Sequence, residues 1–367
     1  KTLGNGGNAG GPVATPGGTA TGTLYVLDVT NPAGFSESQA AAIVVGEWNS
    51  SNLSCGGVAC GQHLGSVVGS PQIRRLHNGQ WAAIFGNGLN SASGTAGIYV
   101  MLVDPSGSIS FRFLDTGVTG GGTKNGIAAV TPADLDGDRI TDYVYAGDAL
   151  GNVWRFDLTS RNPGSWGSPV RVFTTPGGKP ITTRVSVVSV PDTEKKATQR
   201  LIVAFGTGRR FPQTATTAAS YAAGTQTLYG VWDWNLSSWN TLAASSGKLY
   251  VTLASPQTVT ASDLQAQSVL TTTAASGATP ALRTVSRYTI CWRGSTGCSA
   301  TPEMGWRMDL PGSNEQVIYD PQVVSGLFVV NTTIPATSQP LSCDSRPPSG
   351  FTMAIAIGSG GAPPASV

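Results

Sequence analysis

The sequence feature that most constrains the fold is a short strand that recurs along the chain and ends on an aspartate. Each copy is a run of apolar and aromatic residues bounded by turn-forming residues, which is typical of β-strands. The copies are Leu24–Asp28, Met101–Asp104, Val153–Asp157, Leu228–Asp233 and Gly305–Asp309. Their closing aspartates are 76, 53, 76 and 76 residues apart. The spacing predicts one strand-based unit that is used several times.

A second type of strand ends in glycine and precedes three of these copies. It comprises Trp81–Gly86, Tyr143–Gly147 and Leu201–Gly206. The combined unit predicts an all-β fold, a modified β-propeller of four-stranded antiparallel blades with loop insertions. A degraded last unit is predicted at Leu327–Asn331 and Phe351–Ala356, where Ala356 replaces the acid. The chain's 48 glycines and 23 prolines exclude an all-helical fold.

We predict a single propeller domain over residues 1–357 and a flexible Gly- and Pro-rich tail over residues 358–367. Pro212–Gln226 and Leu253–Thr279 are rich in Ala, Ser and Thr and are expected to be loop insertions, with one short helix beginning near Ser262. The chain opens without a signal peptide, so an excised or processed segment of a longer protein is expected, with its N-terminal region missing.

The closing aspartates are expected to be structural, because an acid at a strand end accepts hydrogen bonds from the backbone of the next turn. Catalytic acids would not be copied into every unit. The aromatic residues of these strands are likewise expected to pack between blades and not to stack on a ligand.

Charge argues against nucleic acid as a partner, and the length of the apolar runs argues against a membrane span. Charged residues make up 11% of the chain, and the formal net charge of +2 is spread over scattered side chains. Nucleic acid is therefore not an expected partner. No apolar run approaches the roughly 18 residues that a transmembrane helix needs, so no membrane span is expected.

The five cysteines predict two local disulfides. Cys55 and Cys60 enclose a short Gly-containing loop, and Cys291 and Cys298 enclose another, so that each pair can reach bonding distance. Cys343 is left without an assigned partner. Zinc is the alternative, but it needs clustered Cys or His ligands. Disulfides favour an exported protein.

The strongest chemical motif is an acidic loop. Asp134, Asp136, Asp138 and Asp142 stand at loop positions 1, 3, 5 and 9, and Ile140 at position 7 can offer its backbone carbonyl. These oxygen ligands predict an EF-hand-like calcium site. The pattern departs from an EF-hand because position 6, usually Gly, is Arg139, and a strand follows in place of a helix. The alternative is a solvated acidic turn without a metal.

No catalytic set accompanies this loop. The sequence has no Gly-x-Ser-x-Gly motif, and its two histidines, His63 and His77, form no recognisable Ser/His/Asp arrangement. His77 lies in a Leu-His-Asn-Gly turn, where a solvent-exposed role is expected. The chain is therefore not expected to be an enzyme.

The order of these motifs resembles the C-terminal domain of the PilY family of bacterial type IV pili. The resemblance rests on Tyr25–Pro32, Trp81–Gly88, Asp134–Asp157, Phe205–Arg209 and Tyr229–Asp233, taken together. It implies an exported protein of the periplasm, outer cell surface and pilus tip, which binds calcium through the ligands named above.

The same resemblance implies a role in pilus assembly and adhesion. Members of the family promote pilus extension against retraction in a calcium-dependent way, which affects twitching motility. The implied partners are minor pilins or the pilus tip, and a host or surface ligand through other domains. Two alternatives stay open: a quinoprotein-type (PQQ) dehydrogenase propeller and a carbohydrate-binding propeller.

Overall fold

A computed structural model describes residues 2–3, 19, 22–192, 194, 197–211, 218–276, 281–298, 301–336 and 347–363. Strands dominate the described chain. In chain order they are β1 (Thr2–Leu3), β2 (Thr23–Leu27), β3 (Val44–Asn49), β4 (Ser54–Cys55), β5 (Val58–Ala59), β6 (Gln72–Leu76), β7 (Trp81–Gly86), β8 (Thr95–Val103), β9 (Ile109–Thr119), β10 (Thr131–Ala133), β11 (Ile140–Thr141), β12 (Tyr143–Gly147), β13 (Asn152–Asp157), β14 (Val170–Thr174), β15 (Ser186–Pro191), β16 (Thr198–Gly206), β17 (Arg210–Phe211), β18 (Ser220–Tyr221), β19 (Thr227–Trp232), β20 (Leu249–Tyr250), β21 (Gln265–Gln267), β22 (Val269–Thr273), β23 (Leu282–Val285), β24 (Gly305–Asp309), β25 (Gln316–Val317), β26 (Gln322–Val324), β27 (Leu327–Thr333) and β28 (Thr352–Ala356).

Helices are few and short in the described chain. One α-helix, α1, spans Ser237–Leu242, and the 3₁₀ turns are Pro32–Gly34, Glu37–Ile43, Gly61–His63, Pro163–Ser165, Pro176–Gly178 and Ala261–Asp263. Over the described ranges, no helix has the length and hydropathy needed to cross a bilayer.

The strands form five main sheets, numbered here in chain order. The first sheet has the order β1-β2-β3, the second β11-β6-β7-β8-β9-β4-β5, and the third β10-β12-β13-β14. The fourth has the order β15-β16-β19-β24-β21 with β20 on β16, and the fifth is β25-β27-β26 with β28 on β27. Two hairpins, β17-β18 and β22-β23, stand apart. Most pairings are antiparallel, as the sequence predicts, but strand numbers differ from four in several sheets.

Successive sheets pack face to face, so the middle sheets are buried on both sides. Strand β12 shows how: Tyr143 and Tyr145 join a core shared with the fourth sheet, whereas Val144 and Ala146 join a core shared with the second sheet. Alternate side chains of a strand point to opposite faces, so an apolar residue is needed at every position. This explains the unbroken apolar runs on which the repeat is recognised.

The glycines that end β7, β12 and β16 are required by close packing. A Cβ at Gly86 would overlap the Ile127 carbonyl, one at Gly147 would overlap the Ile181 side chain, and one at Gly206 would overlap the Val317 side chain. In each case a later segment of the chain crosses the end of the strand. The Gly-ended strands are therefore a packing signal, and all three lie where the sequence predicts them.

One predicted unit is wrong. The sequence treats Leu228–Asp233 and Gly305–Asp309 as strands of separate units, but β19 and β24 are antiparallel neighbours within the fourth sheet, with Gly230 opposite Trp306. The spacing of 76 residues between their aspartates spans an insertion inside one sheet. That insertion also carries strands: β21 pairs with β24, and β22 pairs with β23.

Of the other local predictions, some are confirmed and others are not. The degraded last unit is confirmed as the antiparallel pair β27-β28. The short helix expected near Ser262 is a 3₁₀ turn, Ala261–Asp263, capped by Thr260. Residues 358–363 of the expected tail contact the body of the domain, where the Ala362 N–H donates to the Ser286 carbonyl at 2.9 Å. Residues 364–367 lie outside the described chain.

Candidate metal site

The acidic loop lies at the junction of two sheets. It leaves β10 of the third sheet after Ala133 and enters β11 at Ile140, and β11 pairs in parallel with β6 of the second sheet. Asp134, Asp136 and Asp138 each place one carboxylate oxygen within 4.8 Å of the other two. The structure thus brings together three of the four predicted carboxylates.

Backbone N–H groups of the loop hold these carboxylates. Asp134 accepts from Gly137 N at 2.7 Å and from Arg139 N at 2.8 Å, while Asp138 accepts from Ile140 N at 2.7 Å. This wrapping requires left-handed backbone at Gly137 (φ +86°) and Arg139 (φ +70°). Arg139 occupies the position that is usually Gly in EF-hand loops, so the structural demand for positive φ is kept although the residue differs.

Replacing Arg139 with Gly should stabilise the loop. Left-handed backbone costs a residue with a Cβ about 1 kcal/mol or more, of which glycine's greater unfolded-state freedom offsets part, so we expect a gain of about 0.5 kcal/mol. Urea unfolding measures it. Arg139→Ala is the matched control, because it also removes the charge but keeps the Cβ. Equal stabilities of the two variants would contradict strain at this position.

The electrostatics of the three acids suit a cation. Burial raises the pKa of the Asp136 carboxyl, and the neighbouring charges of Asp138 and Asp134 raise it further, although a backbone hydrogen bond acts in the opposite direction. The donor atoms are all oxygens, and Asp134 and Asp138 are exposed to solvent. Hard oxygen ligands in an irregular loop favour Ca²⁺ over Zn²⁺, so the residues present fit a calcium ion.

The two remaining predicted ligands lie at the end of the loop. Asp142 is 1% exposed and outside the group of three. Its Oδ1 accepts from His77 Nε2 at 2.8 Å and its Oδ2 from Leu135 N at 2.6 Å. Ile140 belongs to β11, and its N–H is used by Asp138. The Ile140 carbonyl and the Asp142 carboxylate remain predicted ligands.

His77 is not the free surface residue that its turn predicts. Its hydrogen bond to Asp142 raises the pKa of the imidazole, burial acts against this, and the charges of Asp142, Asp138 and Asp136 add to the increase. For Asp142, burial raises the pKa of the carboxyl, while the bonds from His77 and Leu135 counteract it. The contact joins residues 65 positions apart, so the sequence carries no local signal for it.

Both predicted disulfides are confirmed. Cys55 pairs with Cys60 at a Cα–Cα distance of 5.8 Å, and Cys291 pairs with Cys298 at 5.3 Å. These four cysteines are thereby excluded as zinc ligands. Cys343 falls outside the described residues.

The closing aspartates behave as expected at three of five positions. Asp28, Asp104 and Asp157 accept the N–H of the residue two places later, from Thr30, Ser106 and Thr159, at 2.9, 2.8 and 2.9 Å. All three have the local pattern Asp-x-Ser/Thr. The other two aspartates lack that pattern. Asp309 accepts from the Thr227 hydroxyl at 2.7 Å, and Asp233 is buried.

Asp233 bridges the third and fourth sheets. Its carboxylate accepts from Arg155 Nη1 at 2.8 and 2.7 Å and from the Tyr145 hydroxyl at 2.7 Å. Arg155 also lies over the Tyr143 ring, 5.1 Å from its centroid. This buried cluster is structural, since Arg155 and Tyr145 of the third sheet both donate to the Asp233 carboxylate. Position 235 is Asn, so the sequence shows that the local turn bond is missing, as it is after Asp309, but carries no signal for the buried ion pair of Asp233.

Face-packed, mainly antiparallel sheets with an acidic loop at one sheet junction define an all-β protein of the propeller class. The chain belongs to the family described as the PilY1 beta-propeller domain, whose model matches residues 15–274. The all-β propeller class expected from the sequence and the resemblance to PilY-type proteins are both confirmed.

Relatives and a solved structure agree with this assignment. The chain is 33% identical over 237 residues to a "Type IV pilus biogenesis factor PilY1 homolog" of Xylella fastidiosa, covering 59% of this chain and 15% of that protein. It is 30% identical over 340 residues to "Type IV pilus biogenesis factor PilY1" of Pseudomonas aeruginosa, covering 86% of this chain and 26% of that protein. The chain thus spans about a quarter or less of the relatives it matches.

The crystal structure of the Pseudomonas aeruginosa PilY1 C-terminal domain matches with a TM-score of 0.65 and 28% identity, over 94% of this chain and 66% of that one. The relatives are named as biogenesis factors and not as enzymes. Family membership therefore supports the expectation that this chain is not an enzyme and sets aside the quinoprotein alternative.

Proposed function

We propose that this chain is the calcium-binding propeller of an exported type IV pilus biogenesis factor, located in the periplasm, at the outer cell surface and at the pilus tip. The observation that carries the proposal is the group of Asp134, Asp136 and Asp138 in a loop of a chain from the PilY1 propeller family. Calcium would be held by these three carboxylates, with the Ile140 carbonyl and Asp142 as further ligands. Minor pilins or the pilus tip are the proposed partners.

The proposed role of the ion is to order a surface. Without a cation, three grouped carboxylates repel one another, and Asp134 and Asp138 are open to solvent. A bound divalent cation removes that repulsion and reduces the motion of the loop. The ordered surface would support pilus extension against retraction, so that calcium regulates twitching motility. An adhesive role belongs to the same proposal.

The test is a calcium titration by calorimetry of the wild-type chain and of Asp136→Ala. We expect one bound ion in the wild type and loss of binding in the variant, because Asp136 contributes the half-buried carboxylate of the three. Asp157→Ala is the matched control, since it removes an exposed aspartate side chain that lies outside the acidic loop and bonds within its own turn, and it should leave the titration unchanged.

The cellular part of the test places the same substitutions in the full-length parent protein. We expect Asp136→Ala to reduce surface pili and twitching while the propeller stays folded, and Asp157→Ala to leave both intact. If the wild type binds calcium but Asp136→Ala twitches normally, the ion has only a structural role, and the regulatory role is contradicted. No heat of binding in the wild type would contradict the metal site itself.

A further inference from the structure

Asp142 closes the base of the acidic loop. Its backbone N–H donates to the Ala133 carbonyl at 2.9 Å, and its Oδ2 accepts from Leu135 N at 2.6 Å. Leu135 is held from its other side, because the Tyr250 hydroxyl donates to the Leu135 carbonyl at 3.1 Å. The two ends of the loop are thus tied together through one buried carboxylate.

The orientation of that carboxylate depends on the neighbouring sheet. His77 lies in the turn between β6 and β7 of the second sheet, and its Nε2 reaches Asp142 Oδ1 at 2.8 Å. The end of the acidic loop is also joined to β6 by the backbone, because Ile140 and Thr141 of β11 pair with Arg75 and Leu76. A side-chain bond and a backbone ladder therefore connect the loop to one hairpin.

We propose that His77 is a positioning residue for the calcium site, and this inference rests on the proposed function. A carboxylate offers about four lone-pair directions, of which His77 and Leu135 use two, so Asp142 keeps acceptor capacity for a cation. By fixing Asp142, His77 fixes the loop in the shape that groups Asp134, Asp136 and Asp138. Residues that orient a ligand in this way contribute to metal affinity without touching the metal.

Calcium binding should also affect the stability of the β6-β7 hairpin. If His77 couples the loop to the β6-β7 hairpin, calcium binding stabilises both segments, because a ligand that binds only the ordered loop also favours the ordered state of any segment coupled to that loop. Amide hydrogens of residues 72–86 should then exchange more slowly when calcium is present. Calcium binding in the loop that follows β10 would thereby slow amide exchange in the β6-β7 hairpin of the second sheet.

The experiment uses the whole chain with Ca²⁺ as the probe and compares wild type, His77→Ala and His77→Gln. We expect calcium affinity to fall about ten- to hundredfold in His77→Ala, as for other residues that orient a metal ligand. His77→Gln should keep most of the affinity, because the glutamine amide can donate from nearly the same place as Nε2. Asn78→Ala is the control for general damage to the turn, since Asn78 bonds Gln80 in that turn.

Hydrogen exchange is the second readout, with and without calcium. The wild type should show calcium-dependent protection of residues 72–86, and His77→Ala should lose it although the protein stays folded. Unchanged affinity or a rise in affinity in His77→Ala would overturn the positioning role, as would an equal loss in Asn78→Ala. A wild-type chain that binds no calcium would instead refute the proposed function, and this inference with it.

Discussion

Asp148→Ala is expected to destabilise the domain by about 4 kcal/mol or more, because it removes the acceptor of five hydrogen bonds, four of them buried. The Asp148 carboxylate is 0% exposed. It accepts from the Leu150 and Asn152 N–H groups, from the Asn125 and Asn152 side-chain amides and from Trp154 Nε1, at 2.8 to 3.0 Å. Each donor left unpaired in the interior costs about 1–3 kcal/mol, less what entering water recovers.

Urea unfolding followed by tryptophan fluorescence measures this loss. Asp157→Ala is the matched control, because Asp157 ends the next strand, is exposed and accepts from Thr159 within one turn. We expect the control to lose less than about 1 kcal/mol, as for an ordinary surface substitution. A loss of that small size in Asp148→Ala would show that water replaces the carboxylate without cost.

The second large effect is expected at the ion pair between the third and fourth sheets. Arg155→Met should cost about 3–5 kcal/mol, because it leaves the Asp233 carboxylate buried at 2% exposure without its cation. Only the Tyr145 hydroxyl would still donate to it among the contacts described above. Thermal and urea unfolding report the loss.

A double substitution separates the buried charge from lost packing. Arg155→Met combined with Asp233→Asn should be less destabilising than Arg155→Met alone, because the neutral amide oxygen still accepts from Tyr145 and no unpaired charge remains. Asp309→Asn, at an exposed strand end, serves as the control substitution. A double variant as unstable as the sum of the two single variants would contradict a charge-driven effect.

Much of the strand pattern follows from local sequence. The Gly-ended strands lie where predicted because each needs apolar residues on both faces and a residue without a Cβ at its end. The turns after Asp28, Asp104 and Asp157 are equally local, since the carboxylate and its donor are two residues apart. Such signals can be found in the sequence because both partners are encoded side by side.

The grouping of strands into sheets could not be predicted to the same degree. Gly305–Asp309 has the same pattern as the other aspartate strands, yet it pairs with β19 in the fourth sheet. Pattern and length are the same whether a strand begins a new sheet or extends an existing one. The choice depends on packing: Gly230 leaves the space that the Trp306 side chain fills, and these residues are 76 positions apart.

The sequence by itself determined the strand-rich class, the acidic loop and the two local disulfides, because the residues involved are separated by few positions. Only the tertiary structure decided that Asp142 bonds His77, that Asp233 bonds Arg155, and that the Asp148 carboxylate also accepts from the distant Asn125 side chain. Those partners come from different sheets or loops, and no periodicity links their positions. They meet because buried polar groups must find hydrogen-bond partners wherever packing places them.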